Sequence, residues 1–201
     1  TLPKAIAILN PKQQNCNYPF KDLCGCGVGF KFISAYYIQN GLNIDETYSY
    51  LDLLALATVA DIVPMIDENR IYTYYGLKKI NQNPSIGLEY LIKKLSRGNK
   101  ITSSDISFGI APLINAAGRI SHAKNAVKLL IETDTGKVEK YSDILYANNQ
   151  ERKIIEKNIL KEAIKKINKK SSTNVVSSKN WHKGVIGIVA SKLIDLHYKP
   201  T

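Results

Sequence analysis

The chain has 201 residues, of which 44% are hydrophobic, so it is long and apolar enough to bury a substantial core. Its formal net charge of +11 indicates an anionic polymer such as nucleic acid as a partner, although a composition rich in Lys, Asn, Ile and Tyr raises the lysine count for other reasons as well. No apolar run reaches the roughly 18 residues of a membrane span and no signal peptide is visible, so we expect a cytoplasmic protein without membrane association.

The first predicted element is a buried strand of a parallel sheet at residues 5–9, followed by a polar loop and a helix over 25–40. Cys16, Cys24 and Cys26 lie in this region. Their odd number and the absence of a second Cys or His cluster nearby favour reduced thiols over a disulfide framework or a zinc site. The glycines at 25–29 lack the spacing of a nucleotide-binding loop and favour close packing at a helix start.

The run from Leu51 to Met65 is almost wholly apolar until it reaches Asp61. A carboxylate delivered into apolar surroundings must be paired, hydrogen-bonded or coordinated to a metal, because desolvating the bare charge is costly. The alternative is an Asp that ends the helix and caps the following turn. The residue pattern alone leaves both interpretations open.

Helices are predicted next over 67–80 and 86–95, followed by a small-residue stretch at 109–122. In this stretch Ala116, Ala117 and Gly118 allow close backbone approach, and Arg119 offers a fork of donors suited to phosphate. A structural ion pair of Arg119 is the alternative. His122 precedes a predicted helix over 123–131, where it is either a functional residue or a cap.

The apolar spacing from about 135 to 170 is helical and predicts one long helix, or two in series, joining two lobes. It ends in a basic cluster at 165–170, which is either a solvated helix end or a phosphate contact. A short strand at 173–177, a loop and a helix over 185–197 then begin another α/β unit. The start of that last helix, near His182 and Gly184, has backbone N–H groups that could receive an anion.

Three stretches together resemble the RecJ family of single-strand-specific exonucleases, in the DHH phosphoesterase superfamily. They are ATVADIVP at 57–64, APLINAAGR at 111–119 and WHKGVIGIVAS at 181–191. Asn10 to Gln13, the segment 18–29 and NNQER at 148–152 fit the same pattern in the same order.

The resemblance implies an α/β fold: the C-terminal part of a DHH domain with a parallel sheet, a long connecting helix and the start of a DHHA1 α/β domain. The implied limits are 1–131, 132–171 and 172–201. It implies a DNA repair and recombination nuclease that hydrolyses phosphodiester bonds of single-stranded DNA from the 5′ end with Mn²⁺ or Mg²⁺ in a two-metal site. Asp61 matches a metal-binding and catalytic aspartate, and the implied substrate-binding residues are Arg119, Asn115, His122 and His182.

The chain also departs from the family pattern. The Asp-x-Asp and Asp-His-His motifs that supply most of the metal ligands are absent, and Leu113 stands where an Arg is expected. We therefore expect an internal fragment of a longer polypeptide, inactive by itself. The expected partners are single-stranded DNA and a single-strand-binding protein or helicase, with the enzyme a monomer. The rivals are a DHH-type phosphodiesterase of short oligonucleotides or cyclic dinucleotides, and an inactive single-strand-binding module.

Overall fold

The computed structural model of the chain describes residues 3–95, 100–168 and 170–201. They belong to two compact units, Thr1–Ala111 and Pro112–Thr201, each of which is described by itself. Lys169, part of the basic cluster predicted at 165–170, lies outside the described residues. The domain limits implied by the resemblance, at 131/132 and 171/172, stay predictions.

All regular secondary structure in the described residues is helical, so the predicted α/β fold with a parallel sheet is wrong for this chain. The first predicted strand is an exposed segment in which Ile6 is fully exposed and Leu9 is 62% exposed. In the second, Val175 is 90% exposed and Asn174 donates one backbone hydrogen bond to the Pro200 carbonyl, 2.8 Å away. A strand exists only by pairing, and in these ranges neither segment has a partner strand.

The first unit is built from helices of very different lengths, with a 3₁₀ segment and a π segment between them. The elements are α1 (Gly25–Gln39), a 3₁₀ helix (Ile44–Tyr50), α2 (Leu51–Ala60), α3 (Asp67–Gln82), α4 (Ile86–Lys94), the short α5 (Ser103–Asp105) and a π-helix (Ile106–Ile110). The predictions of helices over 25–40, 67–80 and 86–95 are confirmed to within two residues at each end.

Helices α2 and α3 of the first unit pack closely against each other. At Gly76 of α3, a Cβ atom would meet the Ala55 Cβ and the Leu51 carbonyl oxygen, each at 2.3 Å. Only glycine allows this approach, since such distances are far shorter than any van der Waals contact. Leu54 of α2 packs on the other side against Phe30 of α1, so α2 is enclosed and its end is held in place.

The second unit contains α6 (Ala111–Ile120), which begins at the junction, α7 (Lys124–Ile131), α8 (Thr135–Lys166) and α9 (Lys183–His197). The predicted long helix is one continuous element of 32 residues rather than two in series. Its apolar side contributes Ile159 and Ala163 to a core with Val185, Val189 and Leu193 of α9. No helix in the parts of the chain described is both long and apolar enough to span a membrane.

Candidate functional site

Asp61 is the residue at which α2 ends. Its backbone N–H donates to the Ala57 carbonyl at 2.9 Å, while its side chain is exposed and makes no hydrogen bond or ion pair within the described residues. The expectation that this carboxylate lies in apolar surroundings is therefore wrong for this chain. The enclosed α2 places it at a fixed point, and its oxygens are available to a ligand.

The backbone immediately after Asp61 is strained. Ile62 has φ of 55°, in the left-handed region that a β-branched side chain rarely adopts, and its side chain is 89% exposed. Exposed Ile62 gains no packing from this conformation. Strain of this kind persists only where the surrounding structure imposes it, and it occurs preferentially at functional positions.

The start of α1 lies near Asp61. The pKa of the Cys26 thiol is raised to about 11. The largest cause is desolvation by the surrounding residues, although Cys26 keeps some exposed surface, and the charges of Cys24 and Asp61 add to it. Cys24 instead caps the helix, where its Sγ accepts the Gly27 N–H at 3.3 Å. All three cysteines are free. Cys26 therefore lies near the candidate ligand and is mostly a neutral thiol at pH 7.

The fit of a metal ion can be judged from the donor set. Within the described residues, no three or more His, Cys, Asp and Glu side chains are grouped so that they could hold one. Asp61 offers one carboxylate, of the oxygen-donor type that Mg²⁺ and Mn²⁺ prefer. These residues do not hold a metal by themselves, and a metal at Asp61 requires ligands from other polypeptide.

In the second unit, the end of α6 meets the beginning of α9. The Arg119 Nη1 donates to the Gly184 carbonyl at 3.1 Å. At Gly184, an added Cβ would lie 2.4 Å from the Arg119 carbonyl oxygen, so the two backbones are in direct contact. The Arg119 side chain remains exposed, and within the described residues its other guanidinium N–H groups make no hydrogen bond.

His182 caps α9. Its Nδ1 accepts the Gly184 N–H at 3.2 Å, so Nε2 is the ring nitrogen that can donate a hydrogen bond. Arg119 and His182 therefore both contact Gly184, from its carbonyl and its amide respectively. Of the predicted substrate-binding residues, these are the two that the fold brings together on one residue.

Asn115 and His122 lie on either side of Arg119 along the chain, and both side chains are exposed. Asn115 is one turn earlier on α6. His122 follows the helix and accepts the Asn125 N–H through its carbonyl at 3.3 Å, whereas the N-cap of α7 is Ala123. Leu113, which stands where the family pattern has Arg, is only 3% exposed and belongs to the core. The roles of Asn115 and His122 stay predictions.

Two carboxylates with internal hydrogen-bond partners, one wholly buried and one partly buried, were not singled out from the sequence. Asp52 lies at the start of the same apolar run as Asp61 and is wholly buried, and it accepts the backbone N–H groups of Leu53 at 2.9 Å and Ser85 at 2.7 Å. Its place inside an apolar run was a usable signal.

Glu68 is the second. Its partner Tyr72 lies four residues further along α3, but no local pattern marks its partners Tyr18 and Lys31. It accepts hydrogen bonds from Tyr18 at 2.5 Å and Tyr72 at 3.0 Å and pairs with Lys31 at 3.3 Å. Burial alone would raise the pKa of Glu68, but the two phenols and Lys31 outweigh burial and lower it.

No protein-family model matches the chain. It is 40% identical over 204 residues to the single-stranded-DNA-specific exonuclease RecJ of Bacillus subtilis, an alignment that spans 99% of this chain and 25% of that protein. The Escherichia coli RecJ is 34% identical over 218 residues, covering 100% of this chain and 38% of its own length. The chain thus spans about a quarter to two fifths of the length of the curated relatives it matches.

Solved structures agree with these alignments. The crystal structure of RecJ from Thermus thermophilus in complex with Mn²⁺ matches 91% of this chain and 28% of that chain, with a TM-score of 0.83 and 29% identity. The Mg²⁺ complex from the same organism gives a TM-score of 0.82 at the same identity. Over nearly its whole length, therefore, the chain is homologous to the RecJ single-stranded-DNA-specific exonucleases.

Proposed function

We propose that this chain is part of a metal-dependent exonuclease that hydrolyses phosphodiester bonds of single-stranded DNA from the 5′ end, in DNA repair and recombination. The observation that carries the proposal is the alignment with RecJ exonucleases across 99–100% of the chain. Because the chain spans only part of those relatives, the activity belongs to a polypeptide that also supplies the Asp-x-Asp and Asp-His-His motifs.

Asp61 is the proposed contribution of the first unit to catalysis. Its carboxylate is exposed, has no partner within the described residues and follows an enclosed helix, so its oxygens can bind a cation without first breaking an internal contact. The related structures hold Mn²⁺ or Mg²⁺, ions that prefer oxygen ligands. We assign Asp61 as one ligand of that divalent metal.

Arg119 and His182 are the proposed contribution of the second unit to substrate binding. The hydrogen bond to Gly184 orients the guanidinium, and its remaining donors suit the oxygens of a phosphate. The exposed His182, which contacts the same glycine, adds an Nε2 donor. Asn115 and His122 are exposed near Arg119 in sequence and are proposed as further polar contacts to the strand. A monomeric enzyme and a single-strand-binding or helicase partner stay predictions.

The proposal is tested by transplanting this chain into a complete relative. The aligned quarter of Bacillus subtilis RecJ is replaced by the 201 residues, and release of label from 5′-labelled single-stranded DNA is measured with and without Mn²⁺. We expect Mn²⁺-dependent degradation by the chimera. The matched carboxylate variants are Asp61→Asn and Asp45→Asn, both exposed positions of the first unit.

The expected pattern is loss of turnover in Asp61→Asn with retained DNA binding, and unchanged turnover in Asp45→Asn. An active Asp61→Asn chimera would remove Asp61 from the metal site. A folded chimera that binds single strands but never cleaves them would favour the inactive binding module. Cleavage restricted to dinucleotides would favour the small-substrate phosphodiesterase.

A further inference from the structure

One flank of α8 carries a regular row of lysines. Lys153, Lys157, Lys161 and Lys165 recur every fourth residue, and all four side chains are exposed. Residues four apart on a helix are neighbours on one face, about 6 Å apart along the axis. This spacing resembles the separation of successive phosphates along an extended nucleic-acid strand. The four residues are called the lysine row.

The lysine row is not neutralised by the protein. Within the described residues, none of its four members makes an ion pair, and like charges four residues apart destabilise a helix. On α4, by contrast, Lys93 pairs with Glu89 four residues earlier at 2.7 Å. Glu162 of α8 accepts the indole N–H of Trp181. Within the described residues, therefore, no ion pair offsets the repulsion between the four lysines of the row.

The N-terminal half of the lysine row, Lys153 and Lys157, is called its upper end. It lies at a groove of about 520 Å³ between α8 and α9. Lys153 and Lys157 line it together with Arg152, Glu156 and Lys192. Glu156 is the one carboxylate among these charged side chains. Since it pairs with both Arg152, at 2.5 Å, and Lys192, it neutralises one charge and leaves the groove positive.

Glu156 also fixes the groove in shape. Its side chain is 8% exposed and connects α8 to α9 through Lys192, whose own side chain is 50% exposed. Arg152 is held from its other side by the Asn149 side-chain oxygen at 3.1 Å. Arg152 and Lys192 are therefore held in position within the groove. Because less side-chain freedom is then lost on binding, this arrangement favours binding of a polyanion.

We propose that the lysine row and the groove at its upper end bind the phosphate backbone of single-stranded nucleic acid, independently of base sequence. This inference rests on the proposed function, because it gives the strand a path along α8 in addition to the contacts proposed at Arg119 and His182. The row supplies phosphate contacts at regular intervals, and Lys192 supplies one from α9.

An anionic membrane is the other surface that a basic helix can meet. Interfacial helices insert a wide apolar face, and the apolar face of α8 is buried in the protein at Val138, Leu145 and Ile159. Only Ile154 and Ile164 are large apolar side chains of α8 exposed near the row. The observations thus favour nucleic acid over lipid.

The test measures binding of the 201-residue chain to labelled oligothymidylate by fluorescence anisotropy over a series of salt concentrations. The row variant is Lys153→Gln, Lys157→Gln, Lys161→Gln and Lys165→Gln together. The matched control changes four exposed cations elsewhere to Gln, namely Lys4, Arg70, Lys78 and Lys140. Both variants lose four positive charges, so non-specific attraction falls equally.

We expect the row variant to bind at least tenfold more weakly than the control variant at low salt. The slope of log K against log salt should fall by about 2 to 3, since each single-strand phosphate contact contributes about 0.7. Lys192→Gln should weaken binding further. Circular dichroism of both variants, with unchanged helix content expected, excludes unfolding as the cause.

Equal binding by the row and control variants would overturn the inference, as would wild-type protein that does not bind the oligonucleotide at low salt. Tighter binding to phosphatidylserine vesicles than to oligothymidylate would overturn it in favour of a membrane. The proposed nuclease function is tested separately, by the RecJ chimera. If the chimera cleaves DNA but the row variant binds as tightly as the control variant, only the lysine-row inference is refuted. If the row variant binds more weakly than the control but the chimera does not cleave, only the nuclease function is refuted.

Discussion

Gly184 contacts Arg119 so closely that a Cβ atom on Gly184 would lie 2.4 Å from the Arg119 carbonyl oxygen. The same glycine accepts a hydrogen bond from the Arg119 guanidinium and donates one to His182. The proposed phosphate contacts of the second unit therefore depend on one position without a side chain.

Gly184→Ala should destabilise the second unit by about 1–3 kcal/mol, because the ends of α6 and α9 must move apart to admit the methyl group. Urea denaturation followed by circular dichroism measures this loss. Gly187→Ala is the control on the same helix, since its added Cβ meets nothing within 4 Å. That variant should be stabilised by up to about 1 kcal/mol through helix propensity. Equal changes in unfolding free energy for Gly184→Ala and Gly187→Ala would contradict the close contact between Gly184 and Arg119.

Arg119→Ala should weaken binding of single-stranded DNA and lower its salt dependence by about one ion, because one phosphate contact is lost. Anisotropy titrations of oligothymidylate at several salt concentrations provide the measurement. Arg70→Ala removes an exposed cation of the first unit and should leave the slope unchanged. A slope unaltered in Arg119→Ala would return Arg119 to a purely structural role at Gly184.

The helices of this chain were predictable from local patterns, and its sheet prediction failed for a nonlocal reason. The prediction for 67–80 agrees with α3, Asp67–Gln82, because periodicity and acidic first-turn residues are encoded within the segment. Residues 5–9 have strand composition, but a strand also needs a partner to hydrogen-bond with, and in the described ranges none is present. Local composition cannot report that partner.

The candidate site shows the same limit. The sequence singled out Asp61 at one end of an apolar run as the carboxylate in apolar surroundings, whereas the structure buries Asp52 at the other end and exposes Asp61. A helix that is apolar on all sides has no preferred face, so its pattern cannot tell which end is enclosed. The meeting of Arg119 with Gly184, 65 residues apart, likewise had no local signal beyond the small side chains.

Glu68→Gln should destabilise the first unit by about 1–2 kcal/mol at pH 7, since hydrogen bonds to a charged acceptor are replaced by neutral ones. The pKa of Glu68 is lowered from its ordinary value of 4.5 in the folded protein. Its contribution to stability is therefore present above pH 4.5 and is lost as pH falls through the lowered pKa. The gap in unfolding free energy between wild type and variant should narrow accordingly.

A second measurement on Glu68→Gln is the titration of Tyr72. Burial raises the pKa of Tyr72 to about 12, Lys31 opposes this rise, and the Glu68 carboxylate adds to it. Removing the carboxylate should lower the pKa, which ultraviolet absorbance of the phenolate detects. Glu139→Gln, an exposed position on α8, should change neither stability nor titration. In the stability measurement, a difference in unfolding free energy between wild type and Glu68→Gln that grows as pH falls would contradict the role assigned to Glu68.

Asp52→Ala should be the most destabilising of these substitutions, at about 3–5 kcal/mol. The carboxylate is wholly buried, and Lys79 lies 3.9 Å from it. Its removal leaves the Ser85 N–H at the start of α4 without an acceptor and the Lys79 ammonium without its counter-charge. Asp45→Ala, at an exposed position, should remain within about 0.5 kcal/mol of wild type.

Asp52→Asn separates the two losses in urea denaturation. The amide keeps one oxygen acceptor but turns an NH₂ group toward either the Leu53 or the Ser85 N–H, so one donor stays unmatched. We expect an intermediate loss of about 1–3 kcal/mol. If Asn were as stable as Asp, the Lys79 charge and the second hydrogen bond would contribute nothing, and the one hydrogen bond that Asn keeps would account for the polar role of Asp52. If Asn were as damaging as Ala, the negative charge itself would hold α2 to α4.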